Sequence, residues 1–128
     1  MRLLLDTHAL LWFLADDPRL SAAAKAAISD PSNERWLSPI SLLEIALKVR
    51  IGKLPLHVPF AALFPAQLLA NDIALLPLEP AHIEPLTSLP LHHRDPFDRT
   101  LASTALVEGS TLVSADPLFD AYGLTRLW

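Results

Sequence analysis

Leu3-Leu4-Leu5-Asp6-Thr7-His8-Ala9-Leu10-Leu11-Trp12 decides the fold class. Three consecutive leucines cut off by an acid are too few for a helix and read as a buried strand over Leu3–Leu5. Thr7–Leu14 then reads as a helix. The same unit recurs downstream. Trp36-Leu37 is a short strand, after which Ser38-Pro39 opens a helix that runs to about Arg50 and stops at Gly52. Thr111–Val113 is another, followed by Ser114-Ala115-Asp116 and a helical turn over Pro117–Tyr122. Between these lie helices over Ser21–Ser29, over Pro59–Asn71 with a break at Pro65, over Pro80–Leu89, and from Asp95-Pro96 through Val107 to Gly109. Ile73–Leu76 and Leu124–Leu127 complete the strands, the latter at an edge, and Leu91–Arg94 is a loop.

Short strands that are apolar on both faces and alternate with helices are the pattern of a parallel sheet covered on each side. The expectation is a three-layer α/β/α fold, with a central parallel sheet of four to five short strands, in one domain over residues 1–128. Ligands of such sheets sit at the carboxyl ends of the strands, so the polar residues after each strand are where chemistry belongs.

Composition narrows the function. The chain's 128 residues are one domain's worth, and 52% hydrophobic with 19% charged residues excludes disorder. The absence of cysteine removes disulfides, Cys-ligated zinc, iron–sulfur clusters and thiol nucleophiles. The longest unbroken apolar run, Ala9–Ala15, falls far short of the ~20 residues of a membrane helix. Asp6 breaks any secretory signal, so a cytoplasmic protein without a membrane partner is expected. A mean hydropathy of +0.34 leaves apolar surface for a partner.

Four carboxylates fall at the predicted carboxyl edge. Asp6 follows the first strand and Asp116 the fourth. Glu44 lies on the first full turn after strand two, and Asp98 on the first turn of the helix before strand four. Converging carboxylates repel one another unless cations hold them, and hard oxygen ligands suit Mg²⁺ or Mn²⁺. Each acid also has a plain structural reading. Asp6 serves as an N-cap, Ser41-Leu42-Leu43-Glu44 matches a capping box, and Asp95-Pro96 and Asp116-Pro117 are caps followed by proline. The net charge of −4 does not argue against RNA, because without the four acids the remaining ten acidic and ten basic residues balance. Lys48, Arg50 and Lys53 beyond the Glu44 helix, and Arg94 and Arg99 beside Asp98, are the candidate RNA contacts, with solvated helix ends as the alternative. His92-His93 could bind phosphate or metal but read more simply as a polar loop. His8 reads as a neighbour of Asp6, and His57 and His82 show no partner spacing.

The chain resembles the PIN-domain proteins, specifically the VapC-type toxins of bacterial toxin–antitoxin pairs. The opening Leu3–Trp12 stretch, Ser38–Ile45 around Glu44, His93–Arg99 followed by Leu101-Ala102, and Leu112–Asp116 carry the resemblance in order across nearly the whole chain. It implies a PIN-like fold and a Mg²⁺- or Mn²⁺-dependent endoribonuclease. By position, Asp6, Glu44, Asp98 and Asp116 would hold the metal, Asp95 would compete with Asp98, and Thr7, Asp95 and Ser114 would surround the site. It also implies a cognate antitoxin, an RNA substrate and a homodimer. Two other classes remain open. One is an inactive α/β binding module whose acids are helix caps. The other is a phosphotransfer domain with Asp6 as nucleophile, which ranks last because position 8 is His8 rather than a second acid.

Overall fold

In the computed structural model, which describes residues 1–128, five parallel strands form one sheet in the order β3-β2-β1-β4-β5. They are β1 (Arg2–Leu5), β2 (Glu34–Leu37), β3 (Ala74–Leu75), β4 (Thr111–Val113) and β5 (Thr125–Leu127). The helices are α1 (Thr7–Leu14), α2 (Ala22–Ser29), α3 (Pro39–Arg50), α4 (Leu68–Ala70), α5 (Pro80–Ile83) and α6 (Pro96–Glu108). The three-layer expectation holds, with five strands. No helix is long and apolar enough to cross a membrane.

The leucine run shows why. Side chains alternate faces along a strand. Leu3 and Leu5 therefore enter one core, with Ala9, Leu10, Ala24, Ile28 and Ile45, while Leu4 enters the other, with Leu101, Ala105, Leu112 and Phe119. All three leucines are fully buried. A strand flanked by helices on both sides has no polar face to show, which is what the unbroken apolar run encodes.

Two sequence expectations need correction, and the break in a third element is placed to the residue. The break expected at Pro65 in the Pro59–Asn71 helix is present: two helical stretches meet at a kink where Phe64 is extended at φ −126° and ψ 124°, and the second runs into α4. Proline disfavours helical backbone in the residue before it, so the break falls at Phe64. Pro80–Leu89 is α5 followed by a 3₁₀ turn over Glu84–Thr87. The Ser41–Glu44 capping box is not formed. Ser38 caps α3 by accepting from the Ile40 N–H, Ser41 is buried inside the helix, and Glu44 stands on its second turn.

Helix α6 ends at Gly109, whose φ of 61° lies in the left-handed region. A methyl group there has room, since no atom lies within 4 Å of the place a Cβ would take, so the cost of Gly109→Ala is backbone strain alone. We expect about 1 kcal/mol, or about 3–4 °C in melting temperature, measured by thermal unfolding.

Candidate functional site

The chain order places the site. β1, β2 and β3 build outward on one side of β1, and the chain then returns to place β4 on the other side. The switch point lies between β1 and β4, where crevices form at the carboxyl ends of open α/β sheets. Leu5 and Val113 are register partners, and the Asp6 N–H donates to the Val113 carbonyl at 3.1 Å. Asp6 and the Ser114–Asp116 turn thus leave the sheet side by side. Helices α3 and α6 pack beside them and bring Glu44 and Asp98.

The result is a polar cleft of about 210 Å³ lined by Asp6, Glu44, Asp98 and Asp116 together with Asp95 and Lys48. All four acids proposed from the sequence reach it. Three of the five acids also cap helices. Asp6 Oδ1 accepts from the Ala9 N–H at 2.7 Å, Asp95 Oδ1 from Phe97 at 2.8 Å, and Asp116 Oδ1 from Leu118 at 2.9 Å. Capping uses one lone pair of about four on each carboxylate, so it leaves oxygen free to face the cleft. Glu44 is buried and held by Thr7, whose hydroxyl donates at 2.6 Å, and by the Lys48 ammonium one helical turn away.

Asp98 is different, because α6 is already capped by Asp95. It sits half-buried, and its carboxyl is pushed up to about 6 by burial first and then by Asp95, with Glu44 and Asp116 adding to the rise. Burial also raises Asp6, against the Ser114 hydroxyl and the Ala9 N–H. Burial raises Asp116 too, but the hydrogen bonds from His93 and the Leu118 N–H outweigh it and hold this carboxyl below its ordinary value.

The surrounding residues divide clearly. Thr7 lines the cleft, and buried Ser114 accepts the Asp116 N–H at 3.1 Å. Of the five basic candidates, only Lys48 lines the cleft. Arg50 and Arg94 are exposed, and Lys53 faces a separate groove. Arg99 spends its guanidinium on the carbonyls of Leu86, Leu89 and Pro90, where it ties down the loop before α6. His8 lines the cleft and lies beside Trp12, with ring centroids 5.6 Å apart and the rings tilted at 44°. His93 is not a loop residue in the solvated sense. It is buried, and its Nε2 lies 2.8 Å from Asp116 Oδ2. Its one sequence signal was adjacency to Arg94-Asp95. His82, for which the sequence showed no partner spacing, accepts from the Glu79 N–H at Nδ1 and is buried against Glu108 with Nε2 to Oε1 at 2.6 Å.

The donor set fits a divalent cation in chemistry and number: several carboxylate oxygens, one cleft, and too little neutralising charge of the chain's own. As the side chains stand, no three acidic or imidazole groups are arranged to hold an ion.

Comparison with known proteins agrees with this architecture. The family model described as PIN domain matches residues 3–124. Ribonuclease VapC22 of Mycobacterium tuberculosis is 32% identical over 114 residues, which cover 88% of this chain and 85% of that one. The structure of VapBC2 from Rickettsia felis bound to a DNA fragment from their promoter matches with a TM-score of 0.71 at 15% identity, covering 98% of this chain and 97% of that one. VapBC-1 from nontypeable Haemophilus influenzae matches at 0.67 and 17%, covering 98% and 96%. At those identities the two structures speak for the fold.

Proposed function

The chain belongs to the PIN-domain family, and from that premise we propose that it is a single-domain endoribonuclease toxin of a toxin–antitoxin pair. In this reading Asp6, Glu44, Asp98 and Asp116 hold Mg²⁺ or Mn²⁺, and RNA phosphodiester bonds are the substrate. The observation that carries it is Asp98. A half-buried carboxylate that caps no helix, and is pushed up to about 6 by burial and other acids, is a stability cost that an inert binding module would not keep. The rival reading takes Asp6, Asp95 and Asp116 as caps, Asp98 as a first-turn acid favoured by the α6 dipole and Glu44 as the partner of Lys48, but it gives no reason for all of them to converge on one cleft.

A divalent cation at this position supplies the acidity to activate a water and to stabilise the leaving oxygen of a phosphodiester. The protein's own groups do the rest. Thr7 and Lys48 fix the two oxygens of Glu44. Lys48 is the one lysine or arginine lining the cleft, and it is paired with Glu44. Asp95 and Ser114 hold the turns from which Asp98 and Asp116 project.

The same reading gives the antitoxin a seat. An apolar groove of about 370 Å³, lined by Trp12, Leu14, Leu54 and Leu56, runs beside α1 and reaches the cleft at His8, which lines both. A partner filling the groove would lie across the entrance. Leu43, Leu47 and Ile51 form an exposed stripe along α3 and its end, and this is the face we assign to a second copy of the chain. A toxin that acts on cellular RNA works in the cytoplasm.

The test is cleavage of a total-RNA substrate by purified protein, with and without chelator, alongside Asp6→Asn. Cleavage that needs Mg²⁺ or Mn²⁺ and disappears in the variant supports the reading. Cleavage by metal-free protein, or by Asp6→Asn at the wild-type rate, overturns it. In the same preparation, Mn²⁺ at a hundredfold over its dissociation constant should raise stability by about 2.7 kcal/mol, or about 10 °C in melting temperature.

A further inference from the structure

The Asp116 side chain is 43% exposed and is carried on a turn, yet both its oxygens are held. Oδ1 takes the Leu118 N–H of its own turn, and Oδ2 faces His93 Nε2 at 2.8 Å. His93 belongs to a different segment, 23 residues earlier. Its ring is in turn fixed from behind. Tyr122 Oη lies 2.9 Å from the His93 backbone nitrogen and 2.8 Å from its Nδ1. The backbone N–H can only donate, so Tyr122 Oη accepts there and is free to point its hydrogen at Nδ1. A ring nitrogen that accepts at Nδ1 carries its proton on Nε2, which then donates to Asp116. The ring is also clamped by Phe119, with centroids 4.5 Å apart. Phe119 and Tyr122 both belong to the short helix that Asp116 caps.

We infer that His93, oriented by Tyr122, is a positioning residue that aims the Asp116 carboxylate into the cleft. The inference rests on the metal-dependent reading above and concerns how that site is kept in shape. A surface carboxylate on a turn samples several rotamers, and each must be frozen out before it can bind an ion. The Tyr122–His93–Asp116 chain does this in advance, as hydrogen-bonded partners of ligating groups do elsewhere, where their loss costs about 10–100-fold in metal affinity or activity. The chain closes on itself: Asp116 caps the helix that supplies Tyr122 and Phe119, and those two seat the histidine that holds Asp116.

The experiment is Mn²⁺ titration by calorimetry, with RNA cleavage measured beside it, on wild type, His93→Phe, His93→Gln and Tyr122→Phe. His93→Phe keeps an aromatic ring against Phe119 and removes the donor. It should weaken Mn²⁺ binding about 10–100-fold, with kcat falling and the KM for RNA unchanged. The glutamine amide nitrogen occupies nearly the place of Nε2 and should restore affinity to within a few-fold of wild type. Tyr122→Phe removes only the hydroxyl and should fall between the two. A role confined to stability would lower the melting temperature of these variants while leaving Mn²⁺ affinity at the wild-type value, and that result overturns the inference. So does a glutamine variant no better than the phenylalanine one. Wild-type protein that neither binds Mn²⁺ nor cleaves RNA overturns the metal-dependent reading itself, and the inference with it.

Discussion

Asp98→Asn should abolish RNA cleavage and, in the absence of metal, make the protein more stable. Loss of activity of about a hundredfold or more is expected, since removing even the outer partners of metal ligands costs up to about 100-fold. The stability gain follows from the sign of the pKa displacement. The Asp98 carboxyl is raised from 3.8 to about 6 in the folded chain. The folded state therefore holds this proton more tightly than the unfolded state does. Below about pH 4 the group is protonated in both and costs nothing. As pH rises toward 6 the unfolded chain ionises first, and above 6 the full penalty is present. The displacement corresponds to at most about 3 kcal/mol, and solvent screening at a half-exposed group reduces this to about 1 kcal/mol. Asparagine escapes the penalty. Melting temperatures of the two metal-free proteins should coincide near pH 4 and differ by about 3–4 °C at pH 7.5, with the variant higher. Saturating Mn²⁺ should reverse the order. A variant less stable than wild type at pH 7.5 would show that Asp98 serves the fold instead.

Phe119→Ala should cost about 3–5 kcal/mol, the largest stability loss we expect from a single side chain here. Phe119 is 1% exposed. It fills the core between β4, α6 and the short helix after Asp116, against Leu4, Leu101 and Leu112. Its removal leaves a cavity beneath the cleft and takes away the ring that seats His93. Domains of this kind are stable by only about 5–15 kcal/mol, so the melting temperature should fall by more than about 10 °C. Phe119→Leu, which retains most of the volume, should lose far less. Thermal unfolding of the three proteins checks this. Equal losses for alanine and leucine would show that the ring's contact with His93, not the filled volume, carries the effect.

Much of the fold was legible because its signals are local. Leu3–Leu5 could only be a strand buried on both faces, and Gly109 and Gly52 stop helices at positions that need a positive φ. Asp6, Asp95 and Asp116 cap the helices that begin just after them. The failures were also local in origin. Ser41–Glu44 has the letters of a capping box, but Ser38 lies three residues earlier and takes the cap, so Glu44 moves to the second turn and faces the cleft. By contrast, the break read at Pro65 within Pro59–Asn71 is present, and it falls at Phe64 because proline constrains the residue before it.

By itself, then, the amino-acid order determined the strand–acid–helix units, the parallel sheet they require, and the gathering of four carboxylates at its carboxyl edge. Each strand–acid–helix unit depends on residues within about four positions of one another, where spacing and chemistry can be read directly, and the convergence of the acids follows from the parallel topology those units require. Only the tertiary structure decided which partner each side chain takes. His93 meets Asp116 across 23 residues, Thr7 meets Glu44 across 37, and His82 meets Glu108 across 26. Lys48 enters the cleft, while Arg99, next to Asp98 in sequence, turns away to three loop carbonyls. The physical reason is that hydrogen-bond and charge partners are chosen among groups that packing brings together. No spacing rule reaches across a sheet whose order is set by where the chain crosses over.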